Sequence, residues 1–258
     1  MDYHPPLQHQ PQRLLQRSFH RLEETRGLCA VGHPVVGDPL ASAIEAADLR
    51  TRHGIAPDAP LLLLLPGSRR GEVARHVGPF AETLARLVRQ HPDLRAVLPT
   101  VPHVAPMLRA VVHDWPARPI LLDPTEAPDT YAADKRAAFR AADAALAASG
   151  TVSLELAASG TPMAIAYDMN RLSFWLMKRM ALIDTVTLVN LVSETRTVPD
   201  FLGPECRADR IAPALHRLLT DPAARALQAD AMALTMARLG KGGEAPGLRA
   251  ARSVLAHL

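Results

Sequence analysis

Five consecutive leucines, Leu61 to Leu65, run directly into Pro66, Gly67, Ser68, Arg69, Arg70, Gly71 and Glu72, and this junction constrains the fold more than any other stretch. An apolar run that short suits a strand buried on both faces, as in parallel sheets covered by helices. Comparable short runs recur at residues 28–31, 60–65, 95–98, 120–122, 144–147 and 163–167. Longer amphipathic segments alternate with them at 39–53, 72–90, 106–114, 131–142, 151–159 and 171–182. Such alternation predicts a doubly wound α/β domain with a Rossmann-like parallel sheet. After Asn190 the character changes. Residues 212–219 and 222–239 are rich in Ala and Leu, Gly240 is a plausible stop, and 248–258 predict a last short helix. The expected division is an irregular tail over 1–26, the sheet domain over 27–220 and C-terminal helices over 221–258.

Composition narrows the function. A chain of 258 residues with 48% hydrophobic content can bury a substantial core. The net charge of +3 rests almost entirely on arginine, with lysine only at Lys135, Lys178 and Lys241. Aromatic residues make up only 4%, which argues against stacked-base recognition, so no nucleic-acid partner is expected. Cys29 and Cys206 match no zinc-ligand spacing, and two cysteines make no disulfide framework, so a reduced, cytoplasmic setting is the default. Among the histidines, His33, His53, His76, His91, His103 and His113 form no metal-ligand pair at helical spacing, and structural or solvent-exposed roles are expected for them. No apolar run is long enough to span a bilayer, and the N-terminal residues do not read as a secretory signal.

Two segments carry chemistry. In the first, the strand at 61–65 enters the turn Pro66 to Arg69 and a helix starting near Glu72. Gly67 would let the backbone approach an anion, Ser68 offers a hydroxyl, and Arg69 has the planar fork that pairs with a diphosphate. The lysine and hydroxyl pair of an ATP-binding loop is absent, which removes an ATPase. In the second, the strand at 144–147 leads into Ser149, Gly150 and Thr151, and Glu155 follows one helical turn after Thr151. A carboxylate there suits a ribose diol. A plain helix cap at Ser149 or Thr151 explains that segment taken alone. Two such turns on one parallel sheet favour a nucleotide, because ligands of open α/β sheets bind outside the carboxyl ends of the strands.

The segments VGHPVVGDPL at 31–40, LLPGSRRGEV at 64–73, ASGTVSLELAASGTPMAIAY at 148–167 and TLVNLV at 187–192 resemble, in order and spacing, the lipid-A-disaccharide synthases. FWLMKRM at 174–180 and VPDFLGPEC at 198–206 also look like that family. The resemblance implies a GT-B glycosyltransferase whose C-terminal domain binds the UDP part of UDP-2,3-diacylglucosamine. The acceptor it implies is 2,3-diacylglucosamine 1-phosphate, whose hydroxyl displaces UDP with inversion. No metal or other cofactor is expected. Ser68, Arg69 and Glu72 fall on the family's GSR-x-x-E segment, Ser149, Gly150, Thr151 and Glu155 on its SGT-x-x-x-E turn, and Asn190 on its asparagine near the donor.

The chain departs from the family at Val189, which replaces a usual proline, at Glu194, where glycine is common, and at Thr195, where an arginine is usual. The family's N-terminal domain, with the acceptor site and the proposed general base, has no counterpart in residues 1–26, so no catalytic base is assigned. That domain or a second copy of the chain stands as an expected partner. Residues 171–182, with Phe174, Trp175, Met177 and Met180 among basic residues, suit peripheral contact with the inner face of the bacterial inner membrane. Two other readings stand beside the transferase. One is a UDP-binding module without transferase activity, and the other is a different GT-B enzyme such as a UDP-N-acetylglucosamine 2-epimerase.

Overall fold

The computed structural model describes residues 33–37, 40, 42–169, 179 and 185–256. The tail over 1–26, the strand expected at 28–31 and the amphipathic segment at 171–182 lie outside the described residues, apart from Arg179.

Six strands form one parallel sheet: β1 (Leu61–Leu65), β2 (Arg95–Pro99), β3 (Ile120–Leu122), β4 (Ala144–Ala148), β5 (Met163–Tyr167) and β6 (Asp200–Leu202). Their order is β3-β2-β1-β4-β5-β6, with Leu62 opposite Ala96 on one side and Ala144 on the other. Helices α1 (Ala43–Arg52), α2 (Arg70–Gln90), α3 (Ala105–Val112), α4 (Pro128–Ala141) and α5 (Val152–Ser159) alternate with the first five strands. Then come α6 (Leu188–Ser193), α7 (Ala208–Thr220), α8 (Pro222–Arg238) and α9 (Pro246–Leu255). The Rossmann-like sheet with C-terminal helices expected from the sequence is the fold observed.

The leucine run explains the layering. Successive side chains of a strand point to opposite faces. Leu61, Leu63 and Leu65 join the core beneath α4, α5 and α8. Leu62 and Leu64 join the one beneath α2, α3 and α7. All five are buried, each contributing about 1.5–3 kcal/mol by transfer from water. Helix α8 is fixed to the sheet by a buried amide. Gln228 accepts from the Met163 amide at 2.8 Å and donates to the Met163 carbonyl at 2.9 Å, acting as the missing neighbour at the start of β5. Gln228→Leu orphans both backbone groups, at about 1–3 kcal/mol each, and is expected to lower the melting temperature by roughly 4–24 °C in calorimetry.

Several boundaries differ from the sequence expectation for local reasons. Helix α4 starts at Pro128 rather than 131, because proline without its amide proton suits the first turn. Strand β6 and helix α6 carry no periodic apolar signal. Their connection is set instead by Asp200, whose carboxylate accepts from the Thr185 hydroxyl, the Val186 amide at 3.2 Å and the Thr187 hydroxyl at 3.4 Å.

Candidate functional site

Parallel pairing puts all six carboxyl ends on one rim. From β1 the chain winds outward through β2 and β3, and then returns to place β4 against the other edge of β1. The crevice of such a sheet opens at this reversal, between the loops after β1 and β4. Those loops are the two segments singled out in the sequence.

The β1 turn is built around Glu72. Its Oε2 accepts from the amides of Ser68 at 3.4 Å and Arg69 at 3.3 Å, and its Oε1 accepts from Arg69 Nη1 at 2.7 Å. Burial works to raise the Glu72 carboxyl, but the Arg69 side chain and the two amides outweigh it and hold the group below the usual carboxylate range. The Ser68 and Arg69 amides are therefore already engaged by an internal anion. What the turn leaves to solvent is Arg69, with 81% of its side chain exposed yet anchored at one nitrogen, and the exposed Ser68. Gly67 has φ +125°, and a Cβ there would come within 2.9 Å of Glu72 Cβ.

The β4 turn is open. Ser149 is half-buried, and Gly150 and Thr151 are exposed. Thr151 stands at the start of α5 without capping it through its hydroxyl. The first bonds of this helix run from Ser153 to the Gly150 carbonyl at 3.3 Å and from Leu154 to the Thr151 carbonyl at 2.9 Å. The amides ahead of them have no partner within the helix and point out of its positive end. Glu155 lies one turn in and accepts from Lys135 Nζ at 2.6 Å. Lys135 also sits 5.2 Å above the Phe139 ring. A pocket of ≈ 300 Å³ lies beside this pair, lined also by Val35, Leu40 and Tyr131.

Asn190 is placed differently from its neighbours in the motif. It is buried, and its amide donates to the Val198 carbonyl at 2.8 Å and Thr185 Oγ1 at 3.2 Å while accepting from the Val198 amide at 3.1 Å. Its side chain is spent inside the loop that carries α6 into β6. Glu194 ends α6 with φ +60°, the left-handed geometry that glycine serves elsewhere.

Other residues at the rim were missed in the sequence. Asp123 after β3 accepts from the Thr125 amide at 2.8 Å, from its hydroxyl at 2.7 Å and from Arg109. Burial pushes its carboxyl up, and these donors more than offset that and hold it low. Tyr131 donates to the Thr100 carbonyl, and its phenol is raised by burial and by the carboxylates of Glu155 and Asp123. His76 is completely buried. It occupies the apolar stripe of α2, four residues after Glu72, and that spacing was the available signal.

The family model for lipid-A-disaccharide synthetase (LpxB) matches residues 28–244. The lipid-A-disaccharide synthase of Ruegeria pomeroyi is 57% identical over 229 residues, covering 88% of this chain and 56% of that protein. The chain belongs to the lipid-A-disaccharide synthase family. The synthase of Paramagnetospirillum magneticum is 45% identical over 227 residues, covering 87% of this chain and again 56% of the relative. The chain thus spans just over half the length of the curated relatives it matches. Among solved structures, Anabaena HepE in complex with UDP and glucose superposes with a TM-score of 0.55 at 13% identity, covering 88% of this chain and 56% of that one. WaaG, a glycosyltransferase involved in lipopolysaccharide biosynthesis, gives 0.51 at 16% identity over 83% of this chain and 51% of its own. At these identities the likeness is one of fold, and it agrees with a Rossmann-like domain of GT-B type.

Proposed function

We propose that this chain is the donor-nucleotide half of a lipid-A-disaccharide synthase, and that it holds the UDP part of UDP-2,3-diacylglucosamine in the crevice between the β1 and β4 turns. The observation that carries the reading is the pairing of an anchored, exposed guanidinium on one turn with an open helix start on the adjacent one. A diphosphate lying between them meets Arg69 on one side and the α5 amides, with Ser149, Gly150 and Thr151, on the other. Glu155 then meets the ribose hydroxyls, with Lys135 holding its carboxylate in place. Gly67, Glu72 and Asn190 shape this crevice from behind rather than touching the donor.

In the transfer the acceptor hydroxyl attacks the anomeric carbon and the diphosphate departs with the bonding electrons. Negative charge grows on the oxygen between sugar and phosphorus, and Arg69 together with the α5 dipole stabilises it where it develops. The acceptor, 2,3-diacylglucosamine 1-phosphate, and the base that takes its proton belong to the part of the relatives that this chain does not match, at the inner-membrane surface where acylated substrates reside. No helix among the described residues is long and apolar enough to cross a membrane. Membership of the family favours this reading over the 2-epimerase.

Isothermal titration tests it. The parent chain is expected to bind UDP, and Arg69→Ala to weaken binding by about ten- to a hundredfold, the loss of one charged hydrogen-bonded contact. Because the Arg69 side chain is exposed, its melting temperature should stay within roughly 4 °C of the parent. Equal affinity in the two proteins would remove Arg69 from the site.

A further inference from the structure

Beneath the crevice floor a single buried imidazole joins two strand ends. His76, on α2, donates from Nδ1 to the Pro66 carbonyl at the exit of β1, 2.7 Å away. Its Nε2 accepts from the Asp168 amide at the exit of β5, 2.9 Å away. Between β1 and β5 lies β4, so the ring passes under the strand that carries Ser149 to Thr151. We propose that His76 is a positioning residue for the donor site, strapping the exits of β1 and β5 so that the Pro66 to Arg69 turn aims Arg69 at the diphosphate. This rests on the nucleotide reading above.

The hydrogen-bond pattern assigns the ring's protonation. A nitrogen that accepts from a backbone amide carries no proton, so the proton sits on Nδ1 and the ring is neutral. An imidazolium has two donors and no acceptor, and would leave the half-buried Asp168 amide facing an N–H. The surroundings hold the neutral form. Burial is the chief influence and pushes the ring below its ordinary value. Arg75 on the same helix acts in the same direction, while the Pro66 carbonyl, Asp168 and Glu72 act against it. Among the described residues two further rings face it, the uncharged Phe80 ring at 5.7 Å and the Tyr167 ring at 5.6 Å. Beyond Asp168, the Cys206 thiol is pushed up to about 12 and carries no charge either. A basic group with a depressed folded value binds fewer protons folded than unfolded, so stability is lost as the pH falls from 6.5 towards that depressed value.

The placement explains why an interior histidine, rather than a leucine, completes the apolar stripe of α2. Pro66 and Asp168 each present one backbone group at a strand end where sheet pairing has stopped. A neutral imidazole satisfies one acceptor and one donor at once, across the width of an intervening strand. The same helix holds the other side of the turn through Glu72. The turn is thus held on both sides from a single rigid element.

Two measurements on the whole chain test the strap. In a nitrogen-correlated NMR spectrum of histidine-labelled protein at neutral pH, His76 is expected as the Nδ1–H tautomer. An Nε2–H ring or an imidazolium overturns the proposal whether or not any nucleotide binds. The second measurement is a titration cycle with UDP-N-acetylglucosamine using His76→Leu, Arg69→Ala and the double variant, each confirmed folded by its spectrum. His76→Leu is expected to weaken binding about tenfold in the parent and less than about twofold in the Arg69→Ala background, because it acts through the aim of Arg69. Equal losses in both backgrounds overturn the positioning role and leave a purely structural histidine. Should the parent bind no nucleotide, the donor-site reading and the positioning role built on it fail together, while the tautomer still decides the strap.

Discussion

Gly67→Ala is expected to lower the melting temperature by roughly 4–24 °C and to abolish measurable UDP binding. The residue sits at φ +125°, where an L side chain is strained by about 1–3 kcal/mol. Its new methyl would also lie 2.9 Å from Glu72 Cβ and 3.1 Å from Glu72 Oε2, a clash worth about 1–3 kcal/mol more. Those two penalties together correspond to the stated shift at roughly 2–4 °C per kcal/mol for a chain of this size. Relief can come only by moving Glu72 away from the Ser68 and Arg69 amides, which undoes the turn that presents the guanidinium. Gly78→Ala, on the same helix but exposed and with open space around it, is the control. It should be neutral or stabilise by up to about 1 kcal/mol, since alanine is the better helix former. A parent-like melting temperature for Gly67→Ala would show that the turn does not depend on glycine.

The second large effect is expected at Asn190. Asn190→Asp replaces the amide donor facing the Val198 carbonyl with a carboxylate oxygen, in a place with 1% exposure. A buried charge left without compensation costs about 3–5 kcal/mol. Thermal unfolding near neutral pH should therefore begin at least roughly 6 °C lower than in the parent. The loss should shrink as the pH falls. The introduced carboxyl, raised by burial, takes up a proton in the folded protein more readily than in the unfolded one, and once protonated it can again donate to the Val198 carbonyl. If this variant instead melts like the parent and loses UDP binding, Asn190 touches the donor and its role as an internal brace is wrong.

The sequence revealed the layered sheet because β1 to β5 are written in apolar runs with helical periods between them, and burial on both faces leaves little else for Leu61–Leu65 to be. The turns after β1 and β4 were legible for the same reason: glycine, hydroxyl and charge stand at the ends of recognisable strands. Pairing within those turns was not. Motif reading treats Ser68, Arg69 and Glu72 as three separate offers to a ligand, whereas the folded turn uses Glu72 to bind the other two. Asn190 shows the same limit, since an asparagine near a donor site and one that braces a loop are spelled alike. The bridging role of His76 was hidden because its partners, Pro66 at 10 positions and Asp168 at 92, contribute backbone atoms, which carry no residue signature. Strand β6 escaped notice because it is held by Asp200 and by pairing with β5, not by a pattern of its own.

Helix α2 holds the β1 turn with Glu72 and reaches the β5 exit with His76, so the side chains that shape the turn stand on one helix, and one of them reaches across to the Asp168 amide. Exchanged between family members as a block, residues 61–90 should carry the geometry of the β1 turn with them, since an amide is available whatever side chain stands at 168. Exchanged as the turn alone, they would arrive without the helix that aims them. The natural seams of such an exchange lie before β1 and after Gln90, where α2 ends.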